Sequence, residues 1–213
     1  MSSYLDLYNY RTRVSNLYYE RDQSFLAHTD PSLILQQFRT QRDQLFASHP
    51  QSALDEEQRQ HFRGLSYFPY NPTLHLLTDI EPAPPQRQTV VMSAEETMTM
   101  ITIAHLHFTL EGQSVALSLY WLEIYGGGLF LPFHDTTSPA ESYGGGRYLF
   151  DTIKSSGPFP SSDNSDRQIL LDFNYAYNPS CAYNSRWVCP LAPHENRLPL
   201  PIRAGEKNFS LAL

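Results

Sequence analysis

The sequence predicts a mainly β, α+β fold with an N-terminal helical segment, an antiparallel sheet curled into a barrel or a strongly bent sheet, and an irregular C-terminal wrap. Residues 1–63 contain no glycine and space their apolar side chains three or four positions apart, as helices do. From Gly64 onward, prolines and glycines separate short runs rich in Tyr, Phe, Val, Ile and Thr, which is typical of strands. These runs follow one another without intervening helices, which favours antiparallel pairing because parallel strands need long crossovers.

Three helices are expected in the first segment. The first carries one apolar stripe, formed by Leu5, Tyr8, Val14, Leu17 and Tyr18. Asp30 and Pro31 are the N-cap and first-turn residues that open a second helix, and His49-Pro50 ends it. Residues 54–62 fit a short third helix with acidic residues in its first turn, where the helix dipole favours them.

Eight strands are expected, near residues 65–68, 73–80, 88–92, 98–110, 114–124, 128–133, 146–151 and 168–173. The clearest pair is 98–110 with 114–124, because both alternate in polarity and a glycine-containing turn joins them, as in a β-hairpin. Pro82, Pro84 and Pro85 are expected to break the chain before the third strand. Eight strands are enough to curl into a barrel, and a flat open sheet with a helix on one face is the alternative.

The remaining segments are expected to be irregular. Residues 152–167 are polar and predict a surface loop, whereas roughly the last forty residues are rich in proline and aromatics and are expected to wrap over the sheet. We expect residues 1–63 to pack on residues 64–213 in a single domain, since 213 residues suit one generous domain.

Composition and charge exclude several classes of protein. Apolar residues make up 41% of the chain, which excludes wholesale disorder, and no apolar run approaches the ~20 residues of a membrane-spanning helix. The net charge is −7, and residues 64–166 alone carry 11 acids and 3 bases, which would repel nucleic acid and anionic membranes. The N-terminus shows no signal-peptide pattern, so a cytoplasmic location is expected. No nucleic-acid partner, membrane partner or cofactor is expected.

Two glycine clusters, at residues 126–128 and 144–146, lie in the strand region. Neither is a phosphate-binding P-loop, because no Gly-Lys-Ser/Thr follows and each leads into a strand. They indicate either turns and bulges that need positive φ or a close approach of the backbone to a ligand.

The segment between the glycine clusters is dense in polar side chains: Asp135, Thr136, Thr137, Glu141, Tyr143 and Arg147. Such a loop between two strands is a candidate site, because function concentrates on loops held by a rigid scaffold. The alternative is a local turn in which Asp135 and Thr137 bond the backbone and Arg147 pairs with Glu141.

A second polar segment begins at residue 171 and runs to about residue 198. If the strand continues through it, Asp172 and Asn174 share one face and point into a barrel lumen or cleft. A carboxylate buried in that way needs a partner, and Arg147 or Arg197 would serve.

Four sequence segments together resemble a known family: FRGLSYFPYNP at 62–72, LFLPFHDTTSPAESYGGGRYL at 129–149, LDFNYAYNPSCAY at 171–183 and WVCPLAPHENRL at 187–198. Over roughly residues 30–207 the chain is similar to a widespread bacterial family, domain of unknown function sixteen eighty-four. The resemblance implies no activity. It implies a polar signature at Asp135, Thr137, Glu141, Tyr143, Arg147, Asp172, Asn174, Tyr177, Asn178, Cys181, Cys189, Glu195, Asn196, Arg197 and Glu206. His134 stands where the family usually has Arg or Lys.

Histidine offers a metal alternative. His105 and His107 face the same way on a predicted strand and would form half of a metal site, with His134, Asp135 or His75 as a third ligand. The opposing interpretation is a pair of partly exposed sheet histidines, and we expect no metal.

The two cysteines, Cys181 and Cys189, are expected to be reduced, because nothing indicates export; a short-loop disulfide is the alternative. A structural role as small apolar groups is favoured. Cys181 and His194 would form a nucleophile and base only if the fold brought them together.

Three functions remain open. The first is a small-molecule-binding β domain whose candidate ligand-binding residues are Asp135, Thr137, Glu141, Tyr143, Arg147, Asp172, Asn174, Tyr177, Asn178 and Cys181. The second is an enzyme that uses paired carboxylates, Asp135 or Glu141 with Asp172, in acid–base hydrolysis or lyase chemistry. The third is a structural module whose signature residues form a buried hydrogen-bond network.

Overall fold

The computed structural model describes residues 4–94, 96–160 and 167–211. Its helices and strands are α1 (Tyr4–Leu26), α2 (Pro31–Ser48), α3 (Glu56–His61), β1 (His75–Val91), β2 (Thr97–Leu110), β3 (Gln113–Leu122), β4 (Gly128–Phe133), β5 (Arg147–Asp151) and β6 (Gln168–Asp172). Within the described ranges, no helix is long and apolar enough to cross a membrane.

The three predicted N-terminal helices are confirmed, and α2 and α3 each begin at a capping residue. The Asp30 carboxylate accepts a 2.7 Å hydrogen bond from the Ser32 backbone N–H, and Pro31 is the first residue of α2. Asp55 and Gln58 form a reciprocal capping box at the start of α3. These caps are contacts between near neighbours in the chain, which is why the sequence placed the start of α2 at Pro31 and the predicted third helix, 54–62, begins within two residues of α3.

The six strands form one antiparallel sheet in the order β5-β4-β3-β2-β1-β6, curled into a half-barrel. This confirms the predicted curled antiparallel sheet. The β2–β3 hairpin turns through Glu111 and Gly112, both with positive φ. The half-barrel leaves two edges, β5 and β6, and an isolated antiparallel bridge pairs Tyr148 of β5 with Tyr177.

The strand predictions were wrong at β1. Runs 73–80 and 88–92 belong to a single strand, because the proline cluster sits in a bulge where pairing with β2 shifts between Pro82 and Gln86. A proline has no N–H to donate to the ladder, but a bulge requires none there. Residues 65–68 contribute only an isolated bridge between Tyr67 and Glu206.

Among the described residues, two of the four hydrophobic clusters join the sheet to the segments that cover it. One face of the sheet packs against the C-terminal segment, which contributes Leu198, Leu200, Ile202 and Ala204 to the main core. This confirms the expected wrap. The helical layer forms a second core, in which α1 and α2 pack on Phe159 and Tyr175. The predicted surface loop 152–167 was therefore wrong at Ser156 and Phe159, which are buried; residues 161–166 lie outside the described residues.

Candidate functional site

Asp135 and Arg147 form a buried ion pair beneath the C-terminal wrap. Arg147 donates to the Asp135 carboxylate at 3.0 Å and to the carbonyl oxygens of Ile202 at 2.8 Å and Glu206 at 3.1 Å. It also donates to the carbonyl oxygen of Ala204. The second Asp135 oxygen accepts a hydrogen bond of 2.7 Å from the Ile202 backbone N–H. Through the two terminal nitrogens of Arg147 and the Asp135 carboxylate, the pair holds residues 202–206 against the sheet, whereas Arg147 Nε is buried without a hydrogen-bond partner among the described residues.

The rest of the first polar segment is divided between interior and surface. Thr137 is buried, and its hydroxyl lies 2.6 Å from that of Ser142. Glu141 is at the surface and pairs with Arg203 at 2.8 Å, so the suggested Arg147–Glu141 pair is wrong. Arg147 lies inside the protein, whereas Glu141 points to solvent.

Asp172 and Asn174 do not share a strand face. β6 ends at Asp172, which caps a 3-10 turn over Phe173–Tyr175, so the alternation of an extended strand stops there. One Asp172 oxygen accepts from the backbone and side-chain N–H groups of Asn174 at 2.9 and 2.8 Å, and the other lies 2.9 Å from His75 Nδ1. The Asn174 amide in turn bonds both backbone groups of Asn71. This pair therefore fastens residue 71 to the end of β6.

Glu206 forms the centre of a third buried network. Its carboxylate accepts hydrogen bonds from Arg42 Nε at 2.7 Å, from the Asn178 backbone N–H at 2.9 Å and from the Tyr183 hydroxyl. Burial opposes the charge of Arg42, but the negative charge of Glu206 and the contributions of Tyr183, Tyr67 and Tyr18 together outweigh it and hold the pKa of Arg42 well above its usual value. Sequence reasoning missed Arg42. The available signal was its position four residues after Phe38, on the apolar face of α2.

The ten candidate ligand-binding residues therefore do not line one cavity. Tyr177 and Asn178 line a pocket of about 80 Å³ between the helical layer and the sheet. The Tyr177 hydroxyl lies 2.6 Å from that of Ser156, whereas Asn178 Oδ1 is buried without a hydrogen-bond partner among the described residues. Tyr143 and Cys181 contact each other, with 3.4 Å between the hydroxyl and the sulfur.

A larger cleft of about 350 Å³ contains Glu195 and Arg197, two exposed residues of the family signature. Its walls are formed by Gln88, Thr89, Val90, Val91, His134, Gly144, Gly145, Leu191, Ala192, Pro193, His194, Glu195 and Arg197. Glu195 and Arg197 lie on either side of Asn196, in and just after the 3-10 turn of residues 194–196. The cleft thus joins the glycine segment to the Glu-Asn-Arg segment.

Asn196 holds the turn beside this cleft on the sheet. Its side chain is fully buried and accepts from the Ser118 backbone N–H at 2.7 Å. It donates to the carbonyl oxygens of Ser118 at 2.9 Å and Pro132 at 2.7 Å. Because three backbone groups of β3 and β4 depend on one amide, the turn that carries Glu195 and Arg197 is held rigidly on the sheet.

The cleft contains one carboxylate, Glu195, that is held by a hydrogen bond, and one guanidinium, Arg197, whose hydrogen-bond donors are available to a ligand. The Tyr120 hydroxyl donates to Glu195 at 3.0 Å. Burial raises the pKa of Glu195, but hydrogen bonds from its own backbone, Gln88 and Tyr120 outweigh this and lower the pKa below its usual value. Burial, and then the positive charge of Arg197, lower the pKa of His134. Arg197 is exposed, and its guanidinium has no hydrogen bond or ion pair within residues 4–94, 96–160 and 167–211.

The glycines beside the cleft serve close packing. Gly146 has φ +88°, and a Cβ there would lie 2.6 Å from the Phe133 carbonyl oxygen. A Cβ on Gly145 would meet the ring of Tyr143 at 2.6 Å and Leu191 at 2.9 Å. These contacts favour the turn-and-packing interpretation of the second glycine cluster.

The histidine pair lies elsewhere on the sheet. His107 Nε2 is 2.9 Å from Glu81, and His105 Nδ1 is 3.3 Å from the Ser118 hydroxyl. Across the described ranges, no group of three or more His, Cys, Asp or Glu residues is arranged to hold a metal ion.

Comparisons with known proteins identify the family. The solution NMR structure of the uncharacterised protein from gene locus rrnAC0354 of Haloarcula marismortui is similar, with 35% sequence identity and a TM-score of 0.59 over 81% of this chain and 91% of that one. No curated protein matches the chain. A family model described as "protein of unknown function (DUF1684)" matches residues 60–207. The chain therefore belongs to the DUF1684 family.

Proposed function

We propose that the protein binds a small polar molecule with an anionic group in the cleft that contains Glu195 and Arg197. The observation that carries this proposal is the Arg197 guanidinium, which lines the cleft and has no partner within the described ranges. A guanidinium presents a planar fork of N–H donors that matches the two oxygens of a carboxylate or phosphate. Its neighbour Asn196 is fully buried, so the backbone that presents this fork is already ordered.

Glu195 gives the cleft a second, opposite recognition group. Tyr120 holds one of its oxygens, and the carboxylate is charged at neutral pH because its pKa is lowered. A ligand with a hydroxyl or amine near its anionic group would satisfy both side chains at once. The apolar wall of Val90 and Leu191 and the volume of about 350 Å³ suit a molecule of metabolite size.

The buried signature residues act in this proposal as the frame of the site. Asp135 and Arg147 hold the C-terminal segment, and Asn196 holds the turn beside the cleft. The paired-carboxylate enzyme receives less support, because Glu195 is the single carboxylate among the cleft residues described. Asp172 is bound to His75 and Asn174 instead.

Isothermal titration calorimetry tests the proposal with acetate, succinate, glycine, glycerol 3-phosphate and inorganic phosphate as probes. At least one probe should bind the wild-type protein, and Arg197→Gln should abolish that binding. Arg203→Gln is the matched control, because Arg203 is exposed but pairs with Glu141 and lies outside the cleft lining. Absence of binding by every probe, or equal binding by Arg197→Gln and wild type, would overturn the proposal.

A further inference from the structure

We propose that the pocket between the helical layer and the sheet, which contains Tyr177 and Asn178, binds a small neutral molecule that carries a primary carboxamide. This site is separate from the cleft around Arg197, and the proposal does not depend on the function proposed for that cleft. The pocket has a volume of about 80 Å³. Since liquid water takes about 30 Å³ per molecule, this space suits a ligand, or the end group of one, of roughly four non-hydrogen atoms.

Asn178 contributes a hydrogen-bond acceptor that has no partner. The residue lines the pocket and is 3% exposed, and its side-chain Nδ2 donates to the Lys207 carbonyl oxygen at 2.8 Å. Because a carbonyl oxygen only accepts, this bond fixes the orientation of the amide and identifies Oδ1 as the atom left over. Asn178 Oδ1 is buried without a hydrogen-bond partner among the described residues. A ligand that supplies an N–H therefore removes the cost of an unpaired buried acceptor.

Tyr177 contributes a second acceptor beside the first. Ser156 Oγ accepts from the Asp151 backbone N–H at 2.8 Å and donates its single hydrogen to the Asp151 carbonyl oxygen at 3.0 Å. The 2.6 Å contact between the hydroxyls of Ser156 and Tyr177 therefore uses the Tyr177 proton. Burial raises the pKa of Tyr177 well above its usual value, so this proton stays in place at neutral pH. The lone pairs of the Tyr177 oxygen are left to accept from a ligand.

The charges around the pocket select a neutral donor. Arg42 and Lys154 both line the pocket, so a ligand with a positive charge of its own would be repelled. A carboxylate is also disfavoured, because it has no hydrogen to donate to Asn178 Oδ1 and because Arg42 is already paired with Glu206 at 2.7 Å. A primary carboxamide supplies two N–H groups for the two acceptors. Its carbonyl oxygen suits the ammonium group of Lys154, which is exposed.

An NMR titration of the isotope-labelled full chain with acetamide and acetone tests this assignment. Acetamide should shift the side-chain amide resonances of Asn178 and the backbone amides of Ser156 and Ser180, which line the pocket, and the shifts should saturate. Acetone has nearly the same size and shape but no N–H. It should bind at least about tenfold more weakly, because it leaves Asn178 Oδ1 and the Tyr177 oxygen unpaired.

Tyr177→Phe should raise the Kd for acetamide roughly tenfold, because it removes one acceptor and keeps the ring. Tyr143→Phe is the matched control, since Tyr143 lies outside the pocket lining, and it should leave that Kd unchanged. Absence of a saturable shift with acetamide would mean that the pocket holds water alone and would overturn the proposal. Equal affinities for acetamide and acetone, shifts confined to the cleft around Arg197, or an unchanged Kd in Tyr177→Phe would also overturn it. The comparison of the two probes uses the wild-type protein, so it decides the question even if Tyr177→Phe fails to fold.

Discussion

Arg147 donates a hydrogen bond of 3.0 Å to Asp135, and the two residues are 0% and 1% exposed. The pair joins the start of β5 to a residue two positions after the end of β4. Apart from one hydrogen bond from the Thr137 backbone N–H to Asp135, its other hydrogen bonds involve the backbone of residues 202–206. The Asp135 and Arg147 motif, which looks like a polar site in the sequence, thus attaches the C-terminal segment to the sheet. Both charges are buried away from solvent, so each depends on the other for its stabilisation.

Asp135→Asn should lower the free energy of unfolding by about 3–5 kcal/mol, because it leaves the Arg147 charge buried without its counter-ion. Urea denaturation followed by tryptophan fluorescence measures the change. Glu141→Gln is the control, since it breaks the exposed pair with Arg203 and should leave the midpoint near that of wild type. Equal losses of unfolding free energy in the two variants would show that the buried pair contributes no more to stability than the exposed pair.

Asn196→Ala should lower the free energy of unfolding by about 3 kcal/mol or more, because two groups of Ser118 and one of Pro132 lose their partner in the interior. Asn208→Ala is a matched comparison, since the Asn208 amide bonds Pro139 at the solvent-exposed surface. Chemical denaturation should show a clearly smaller loss for Asn208→Ala. A stable Asn196→Ala protein would contradict the role assigned to this amide.

His134 should titrate below its ordinary pKa of 6.5, and Arg197→Gln should raise that pKa, because removing a nearby positive charge favours the protonated imidazole. An NMR titration of the imidazole resonances measures both values. Arg203→Gln should leave the pKa of His134 unchanged. No response to Arg197→Gln would place Arg197 too far from His134 to act on it.

The lowered pKa of His134 also makes the stability of the fold depend on pH. Since the folded-state pKa of His134 lies below 6.5, the unfolded chain takes up the proton first as the pH falls. The contribution of His134 to stability is therefore complete above pH 6.5 and is lost progressively as the pH falls to the folded-state pKa. Replacing His134 with Gln should remove this part of the pH dependence, as followed by thermal unfolding across that range.

Gly146→Ala should destabilise the fold by more than the roughly 1–2 kcal/mol of a left-handed backbone, because the new Cβ would also meet the Phe133 carbonyl oxygen at 2.6 Å. Gly112 has φ +78° with no atom within 4 Å of the new Cβ, so Gly112→Ala should cost the backbone strain alone. Gly157→Ala, at ordinary φ and in open space, should be nearly neutral. Thermal unfolding should rank the three variants in that order.

Local elements could be predicted well because their signals are local. The start of α2 at Pro31 follows from the cap at Asp30, and the β2–β3 hairpin follows from alternation around Gly112. The strand break at the proline cluster failed, because a bulge paired with β2 accommodates those prolines. The bulge is defined by the pairing of β1 with β2, so the sequence of β1 alone does not reveal it.

In the candidate site, too, local features were predicted from the sequence, whereas contacts between distant residues were not. The polar stretches were found from composition, but the partners within them were not: Arg147 binds Asp135 rather than Glu141, and Asp172 binds His75 across two strands. Arg42 escaped notice altogether because its partner, Glu206, is 164 residues away in the chain. The carboxylate that pairs with a given Arg or His depends on where the folded chain places the two side chains. Once such a pair is buried, separating it is energetically costly.

The sequence by itself determined the helices, the curled antiparallel sheet, the wrapping C-terminus and the family, because caps, alternation and turn residues act over a few positions. Only the tertiary structure decided which signature residues are buried and hydrogen-bonded inside the protein, and which, like Glu195 and Arg197, line an open cleft. That division arises from burial: a polar group removed from water must find its partner inside the fold, whereas Arg197, still in contact with solvent, remains free to bind a ligand.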